Sequence, residues 1–506
     1  MATTTPQPTV LTRSISLKKE PAEVFARFAQ LPGCFYLDSA LGDHELSRFS
    51  YIGAEPFFTL KSRGSVMDIV EGKKVRHQKG NPLDVLAAML QRHQVSSGTT
   101  FVPFIGGAVG YIGYEFGRHT TGIPLQAPDD LGLPELAFNF YRKLLAYDHH
   151  ERRWYVAAAD FSTSHGPSVR KRLTADIDRM AALADGTEVA TPAAISTRAA
   201  GDAVVGDPLD DDLAHLPESP MMTDGPYPWR SSLTRDQYLD AVRTIKERIA
   251  RGDVYQANLT QRFHATAPSD PVALYQALRE VNPAPYGCYL DLGECLIAGQ
   301  SPELFLSIRG RSIETRPIKG TRPRGSSTDE DERLKRELLE SAKDRAELVM
   351  ITDLLRNDLG RVCRPGSIEA GDTIRLESFP TVHHLVSVIR GELAQGRTLS
   401  DVLRATFPGG SITGAPKLKA MEILDSIEPV ARGPYTGAMG LIGFDGSVDL
   451  NVAIRTFVLR GPDVYFGAGG GIVADSVPED EYAESLAKAR GMLEALARAA
   501  AQRASG

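Results

Sequence analysis

The chain has 506 residues, 42% hydrophobic and 24% charged, the make-up of a globular protein with material for two or three domains or one large layered one. Its formal net charge of −7 excludes wholesale nucleic-acid binding, so any basic stretch acts locally. Scattered cysteines (Cys34, Cys288, Cys295, Cys363), no signal-peptide pattern after Met1 and no apolar run near ~18 residues lead us to expect a cytoplasmic protein with reduced thiols.

Residues 1–184 read as a mixed α/β unit. Residues 136–147 and 154–158 have strand character on either side of a turn beginning at Asp148. Val169, Leu173, Ile177, Met180 and Leu183 then form the apolar stripe of a helix. Over 185–230 Ala, Asp, Pro, Gly and Thr dominate and periodicity is lost, which predicts a flexible linker or surface insertion. Order resumes at Thr234, which has capping-box spacing to Gln237; Tyr238, Ala241, Val242, Ile245 and Ile249 follow on one helical face. The stretch 231–506 alternates strands and helices with glycines at their junctions, the pattern of an α/β or α+β domain that carries chemistry on its loops.

Within that stretch, Glu303 stands just before the strand-like 304–308, where apolar neighbours would raise its pKa and suit it to general-acid work; a solvated strand-edge acid fits the same spacing. Residues 316–324, RPIKGTRPR, put Lys319 in what reads as a tight, rigid loop. The three arginines Arg316, Arg322 and Arg324 are expected to disfavour a further positive charge and so lower the Lys319 pKa. A neutral lysine among anion-binding groups suits covalent attack on an anionic substrate; a solvated basic loop is the alternative. Glu347 falls in a helical segment, 341–358. His383 and His384 read either as a base or ring-contacting donor or as satisfied core histidines.

The glycine-rich turn 409–417 precedes a helix and offers free N–H groups to an anion, although it is not a P-loop. Arg455 reads as a lone arginine in a strand, in need of a carboxylate partner. Residues 467–471, GAGGG, read as a second glycine-rich turn after a strand, without GxGxxG spacing. On the C-terminal helix Glu481, Glu484 and Lys488 share one stripe, opposite Leu486, Ala489, Leu493 and Leu496. That is what an amphipathic helix shows, and it is also a set of hard oxygen donors for Mg²⁺ if Glu347 comes near.

SPELF, RPIKGTRPRG, SAKDRAELVMITDLLRNDLGRV, FPTVHHLVS, FPGGSITGAPKLKAMEIL, GPYTGAMG, AIRTFV and GAGGGIVADSVPEDEYAES occur in that order. Together they resemble the chorismate-utilising enzymes, which include anthranilate, isochorismate, salicylate and aminodeoxychorismate synthases. The likeness covers 231–499, and more weakly SRFSYIGAEP and GGAVGYIGYEFGR. It implies an α+β fold with a two-layered β-sandwich core and helices outside.

The resemblance also implies roles. Glu347 and Glu484 would hold Mg²⁺, with Glu481 supporting through water, and the ion would anchor the ring carboxylate of chorismate. Arg455 and Tyr435 would bind the enolpyruvyl carboxylate, Thr321 and His384 the hydroxyl and ring, and Lys488, Gly469 and Gly470 the polar rim. The branches that add water carry a lysine where this chain has Gln256, so ammonia is the expected nucleophile. Anthranilate synthases typically carry alanine at the position of Lys319, and the lysine resembles the aminodeoxychorismate-forming branch. There Lys319 would be the nucleophile and Glu303 the acid, toward para-aminobenzoate and folate. None of the cysteines lies in a nucleophile-elbow context, so ammonia is expected from a separate glutamine amidotransferase subunit. Residues 37–40, LDSA, depart from the Leu-Glu-Ser element that binds feedback tryptophan, which leaves a structurally bound tryptophan open. The rivals are anthranilate synthesis and a non-catalytic chorismate-binding paralogue.

Overall fold

In the computed structural model, described over residues 8–39, 41, 46–96, 102–162, 166–189, 219–223, 225–370 and 374–504, two large antiparallel sheets lie face to face. Among the described residues one has 12 strands and the other 11. Alternation along each strand divides the core. Phe35 turns inward to meet Tyr51, Phe138, Phe140 and Leu290 between the sheets, while its neighbour Tyr36 turns outward with Phe25, Leu173 and Leu496 under the helices. The layered α+β architecture with outer helices is the one the resemblance implied.

The division suggested by residues 185–230 is not a division of the sheets. Strand Phe35–Asp38 pairs with Tyr286–Asp291 in one sheet, and Gly107–Ile112 pairs with Ala438–Gly443 in the other. Each sheet is therefore part N-terminal and part C-terminal. Either part alone would present open edges of unpaired N–H and C=O groups, and their mutual pairing satisfies them. Residues 190–218 and 224 of the expected linker lie outside the described residues, as does Ala40.

The helix Pro167–Asp185 buries the five apolar residues of its stripe. The helix Arg235–Ala250 has both halves of its capping box: Thr234 Oγ1 accepts from the Gln237 N–H at 3.3 Å, and Gln237 Oε1 accepts from the Thr234 N–H at 2.8 Å. The stretch 136–147 is two strands rather than one. Leu136–Tyr141 belongs to one sheet and Lys143–Asp148 to the other, with the crossing at Arg142. Both are buried throughout, and the Arg142–Lys143 pair is the one charged break that marks the crossing.

A separate three-stranded sheet, in the order Ile318–Pro323, Val382–Val386, Arg375–Ser378, packs against helices Thr328–Glu340 and Ala342–Gly360. Its own small core is Leu338, Leu348 and Leu385. Among the described residues no helix is long and apolar enough to cross a membrane.

Candidate active site

The Lys319 segment is a strand, not a free loop. Ile318–Pro323 pairs with Val382–Val386, and the register slips between Lys319 and Thr321, where Gly320 takes φ +78°. A Cβ on Gly320 would lie 2.9 Å from the Cβ of Asp344, so the bulge needs glycine for space as well as for conformation.

The lowered Lys319 pKa is present but its cause differs from the sequence reading. Burial pushes it down and the Lys488 charge adds to this, while Glu347, Glu303 and Glu484 pull it back. The three arginines are not among its main causes, each being paired with carboxylates of its own. Arg316 pairs with Glu377 and Glu314, Arg322 with Glu337 at 2.9 Å and Asp344 at 3.3 Å, and Arg324 with Asp331 at 2.8 Å.

Glu303 precedes the strand Leu304–Arg309 as expected and is 6% exposed. Burial raises its pKa to about 7, against the opposing pull of a Ser411 hydrogen bond, the Lys319 charge and the Ile318 N–H. A carboxyl half-protonated near neutrality can give up a proton there.

Glu347 sits on the helix that starts after Ser341, whose hydroxyl caps it by accepting from the Asp344 N–H at 3.3 Å. Burial raises the Glu347 pKa, and the Glu484 charge adds to it. Burial likewise raises Glu481, again with Glu484 contributing. Glu484 itself is lowered, its burial outweighed by Lys488, Lys343 and Lys319. The glycines at 467–471 face this cluster from within a strand: Asp463–Ile472 runs straight through them, which corrects the reading of a turn. They are small because neighbours crowd in. A Cβ on Gly470 would lie 3.2 Å from Glu481 Oε2 and 3.6 Å from Glu484 Oε1; one on Gly469 would lie 2.0 Å from the Leu259 carbonyl oxygen. Lys488 Nζ donates to the Gly469 carbonyl at 2.8 Å and pairs with Glu484 at 2.7 Å. Among the described residues no three His, Cys, Asp or Glu side chains are already gathered at metal-binding distance. Glu484 is turned toward Lys488, and Glu481 accepts from Ser476 Oγ at 2.6 Å. The donors nevertheless raise one another's cost of ionisation, which a divalent cation would relieve.

Arg455 is not in a strand. It occupies the turn between Val448–Val452 and Thr456–Arg460 with φ +50°, a strained conformation for a side chain of its size. Burial lowers its pKa, and no carboxylate among the described residues contributes to it. A half-buried guanidinium with no carboxylate of its own among them is suited to receive an external one. Tyr435 packs over Gly467, where a Cβ would come within 2.2 Å of its ring. His384 bonds through Nδ1 to Thr321 Oγ1 at 2.9 Å, while its buried Nε2 has no partner among the described residues. Burial and the nearby Arg455 charge lower its pKa to about 3, so the ring is neutral. His383 is the satisfied core histidine, between Ser378 Oγ at 2.8 Å and Asp331 at 2.9 Å. Gln256, 1% exposed, has an Oε1 with no partner among the described residues, and its amide nitrogen fills the space a Cβ on Gly471 would take.

Sequence reasoning assigned no role to Lys343 or Ser411. The spacing of Lys343, one helical turn before Glu347, carried a readable signal. Ser411 approaches Glu303 from a turn more than a hundred residues away, and no local pattern announces it.

The family profile described as chorismate binding enzyme spans residues 33–494. The chain belongs to the chorismate-binding enzyme family. Its similarity to family members extends over nearly all its length. It is 37% identical over 473 residues to aminodeoxychorismate synthase component 1 of Escherichia coli, covering 93% of this chain and 95% of that one. It is 40% identical over 480 residues to anthranilate synthase component 1 of Streptomyces coelicolor, covering 94% of this chain and 86% of the other. The crystal structure of anthranilate synthase component I from Streptococcus pneumoniae superposes with a TM-score of 0.72 at 30% identity, covering 88% of this chain and 92% of that one. Chorismate-binding enzymes of both names thus stand at comparable distance.

Proposed function

We propose that the protein aminates chorismate at C4 to give 4-amino-4-deoxychorismate through a covalent Lys319 intermediate. One observation carries the reading: Lys319, whose pKa is lowered by burial, feels the charge of Glu303, a carboxyl whose pKa is raised to about 7. Both shifts run toward a neutral amine and a protonated acid, the states that nucleophilic attack with loss of a hydroxyl requires.

In this mechanism the Lys319 amine bonds to C2, the ring double bonds shift, and the C4 hydroxyl leaves as water with the Glu303 proton. Ammonia then bonds to C4, the double bonds shift back, and the C2–nitrogen bond breaks to release Lys319. Arg455 and Tyr435 hold the enolpyruvyl carboxylate, Thr321 and the neutral His384 meet the hydroxyl and ring, and Lys488, Gly469 and Gly470 form the polar rim. Gln256 has no basic atom to activate water, which favours ammonia. Glu347 and Glu484, with Glu481 behind them, suit Mg²⁺, which would supply positive charge for the ring carboxylate. A separate glutamine amidotransferase subunit supplies the ammonia. The experiment is product mass after incubation with chorismate, ammonium and Mg²⁺: retention of the enolpyruvyl group together with a new amine supports the reading.

The second reading is anthranilate formation, favoured by the similarity to anthranilate synthase components. Its mark is loss of pyruvate and a fluorescent product in the same assay.

Between the sheets lies a cavity of about 390 Å³ lined by Ser39, Tyr286, Met439 and Asn451 among others, and Asn451 Oδ1 lacks a partner. A tryptophan would fit that volume. Asp38 has no free carboxylate to offer it, being held by Tyr36 at 2.7 Å, Tyr275 at 3.2 Å and Arg279 at 2.6 Å. Release of tryptophan on denaturing the purified protein supports its presence, and its absence there together with no calorimetric binding removes it.

A further inference from the structure

The mechanism above leaves unused a buried arginine at the meeting point of several segments. Arg432 is 6% exposed, and its guanidinium hydrogens are all engaged. Nε and Nη2 reach Glu428 at 2.7 Å each, Nη2 also reaches the Asn258 carbonyl at 2.7 Å, and Nη1 reaches the Ile412 carbonyl at 3.0 Å and Thr436 Oγ1 at 3.4 Å. Its flat face lies over the Tyr114 ring at 4.3 Å. Glu428 is equally committed, accepting from both the N–H and the Oγ1 of Thr260 at 2.9 Å. The backbone N–H groups of Arg432 and Gly433 are held by Glu115 at 2.7 and 2.9 Å.

Three of these partners lie within two residues of a site residue or of one that touches the site. Asn258 is two residues from Gln256 on the same strand, Ile412 follows Ser411, which bonds Glu303, and Thr436 follows Tyr435. We infer that Arg432 is a positioning residue, whose single buried fork sets the mutual register of the strand bearing Gln256, the turn that holds Glu303 through Ser411, and the turn that presents Tyr435. The planar fork is what the task needs. A lysine has one nitrogen and cannot reach Glu428, Asn258 and Ile412 in their separate directions.

This inference rests in part on Glu303 acting as the acid, and the experiment separates the two ideas. Glu303 is faced by Lys319 and the Ile318 N–H from the small sheet and by Ser411 from the turn. The Ser411 bond favours ionised Glu303, so disturbing it should move the alkaline limb of kcat to higher pH. Arg432→Lys and the near-isosteric Glu428→Gln are compared with Ser411→Ala, in pH profiles of kcat and in KM for chorismate, each per folded molecule. The expected result is a limb displaced upward as in Ser411→Ala, with KM raised on the order of tenfold as Tyr435 leaves its place over Gly467. If Arg432→Lys does not fold, Glu428→Gln carries the same test. A variant that loses thermal stability but keeps the wild-type limb and KM shows an ordinary structural residue and overturns the inference. A limb that stays fixed even in Ser411→Ala, with KM still raised in Arg432→Lys, supports the positioning role and removes Glu303 from the part of acid instead.

Discussion

Glu303 and Lys319 each pull the other toward its charged form, and for both of them burial wins. An exposed pair of this kind would form an ordinary salt bridge. Desolvated, each is shifted toward its neutral form, which is what the proposed acid and nucleophile need.

Removing the acid should expose what that preparation costs. Glu303→Gln is expected to lower kcat on the order of 10²–10⁴ and to abolish the alkaline limb near pH 7. The same change should stabilise the fold. A carboxyl with a pKa of about 7 in the fold and 4.5 when free destabilises it progressively as pH rises between those values, by about 3 kcal/mol above both. Denaturant unfolding at pH 8 and pH 4 checks the sign: the variant gains at pH 8 and not at pH 4.

Lys319 should be found bonded to substrate. Intact-protein mass spectrometry with chorismate and Mg²⁺ but no ammonia is expected to show an adduct at Lys319. Lys319→Ala should show neither adduct nor 4-amino-4-deoxychorismate; full turnover in that variant removes the nucleophile from the mechanism.

Arg455 combines backbone strain with an unmatched charge. Arg455→Gly should relieve the left-handed backbone, worth about 1 kcal/mol of stability, while KM for chorismate rises on the order of 100-fold. Thermal melts and steady-state kinetics on one preparation read both.

The acidic cluster predicts a requirement for a divalent cation. EDTA should abolish turnover and Mg²⁺ restore it. Gly470→Ala, which would place a methyl 3.2 Å from Glu481 Oε2 and 3.6 Å from Glu484 Oε1, should raise the Mg²⁺ concentration for half-activity roughly tenfold with little change in melting temperature. Unchanged Mg²⁺ dependence in this variant would separate those carboxylates from the metal.

Local features of the chain proved readable. The capping box at Thr234, the stripe on Pro167–Asp185, the place of Glu303 before its strand and the shared face of Glu481, Glu484 and Lys488 all depend on residues within about two turns of each other. The misreadings concern partners brought from afar. Arg316 looked like a source of positive field beside Lys319 until the fold set Glu377 against it, and Arg455 looked like a strand residue because a single left-handed turn leaves no periodicity to detect. The glycines at 467–471 suggested a turn, but they mark places where Tyr435, Leu259 and Gln256 press against a strand.

The pairing of Phe35–Asp38 with Tyr286–Asp291 has a consequence for how the polypeptide is made. A ribosome must add roughly 250 further residues after the first of these strands before its neighbour exists, and the early product carries bare strand margins meanwhile. A fragment ending near residue 230 should therefore precipitate or associate with itself when expressed alone, and recover solubility when the complementary fragment is produced beside it.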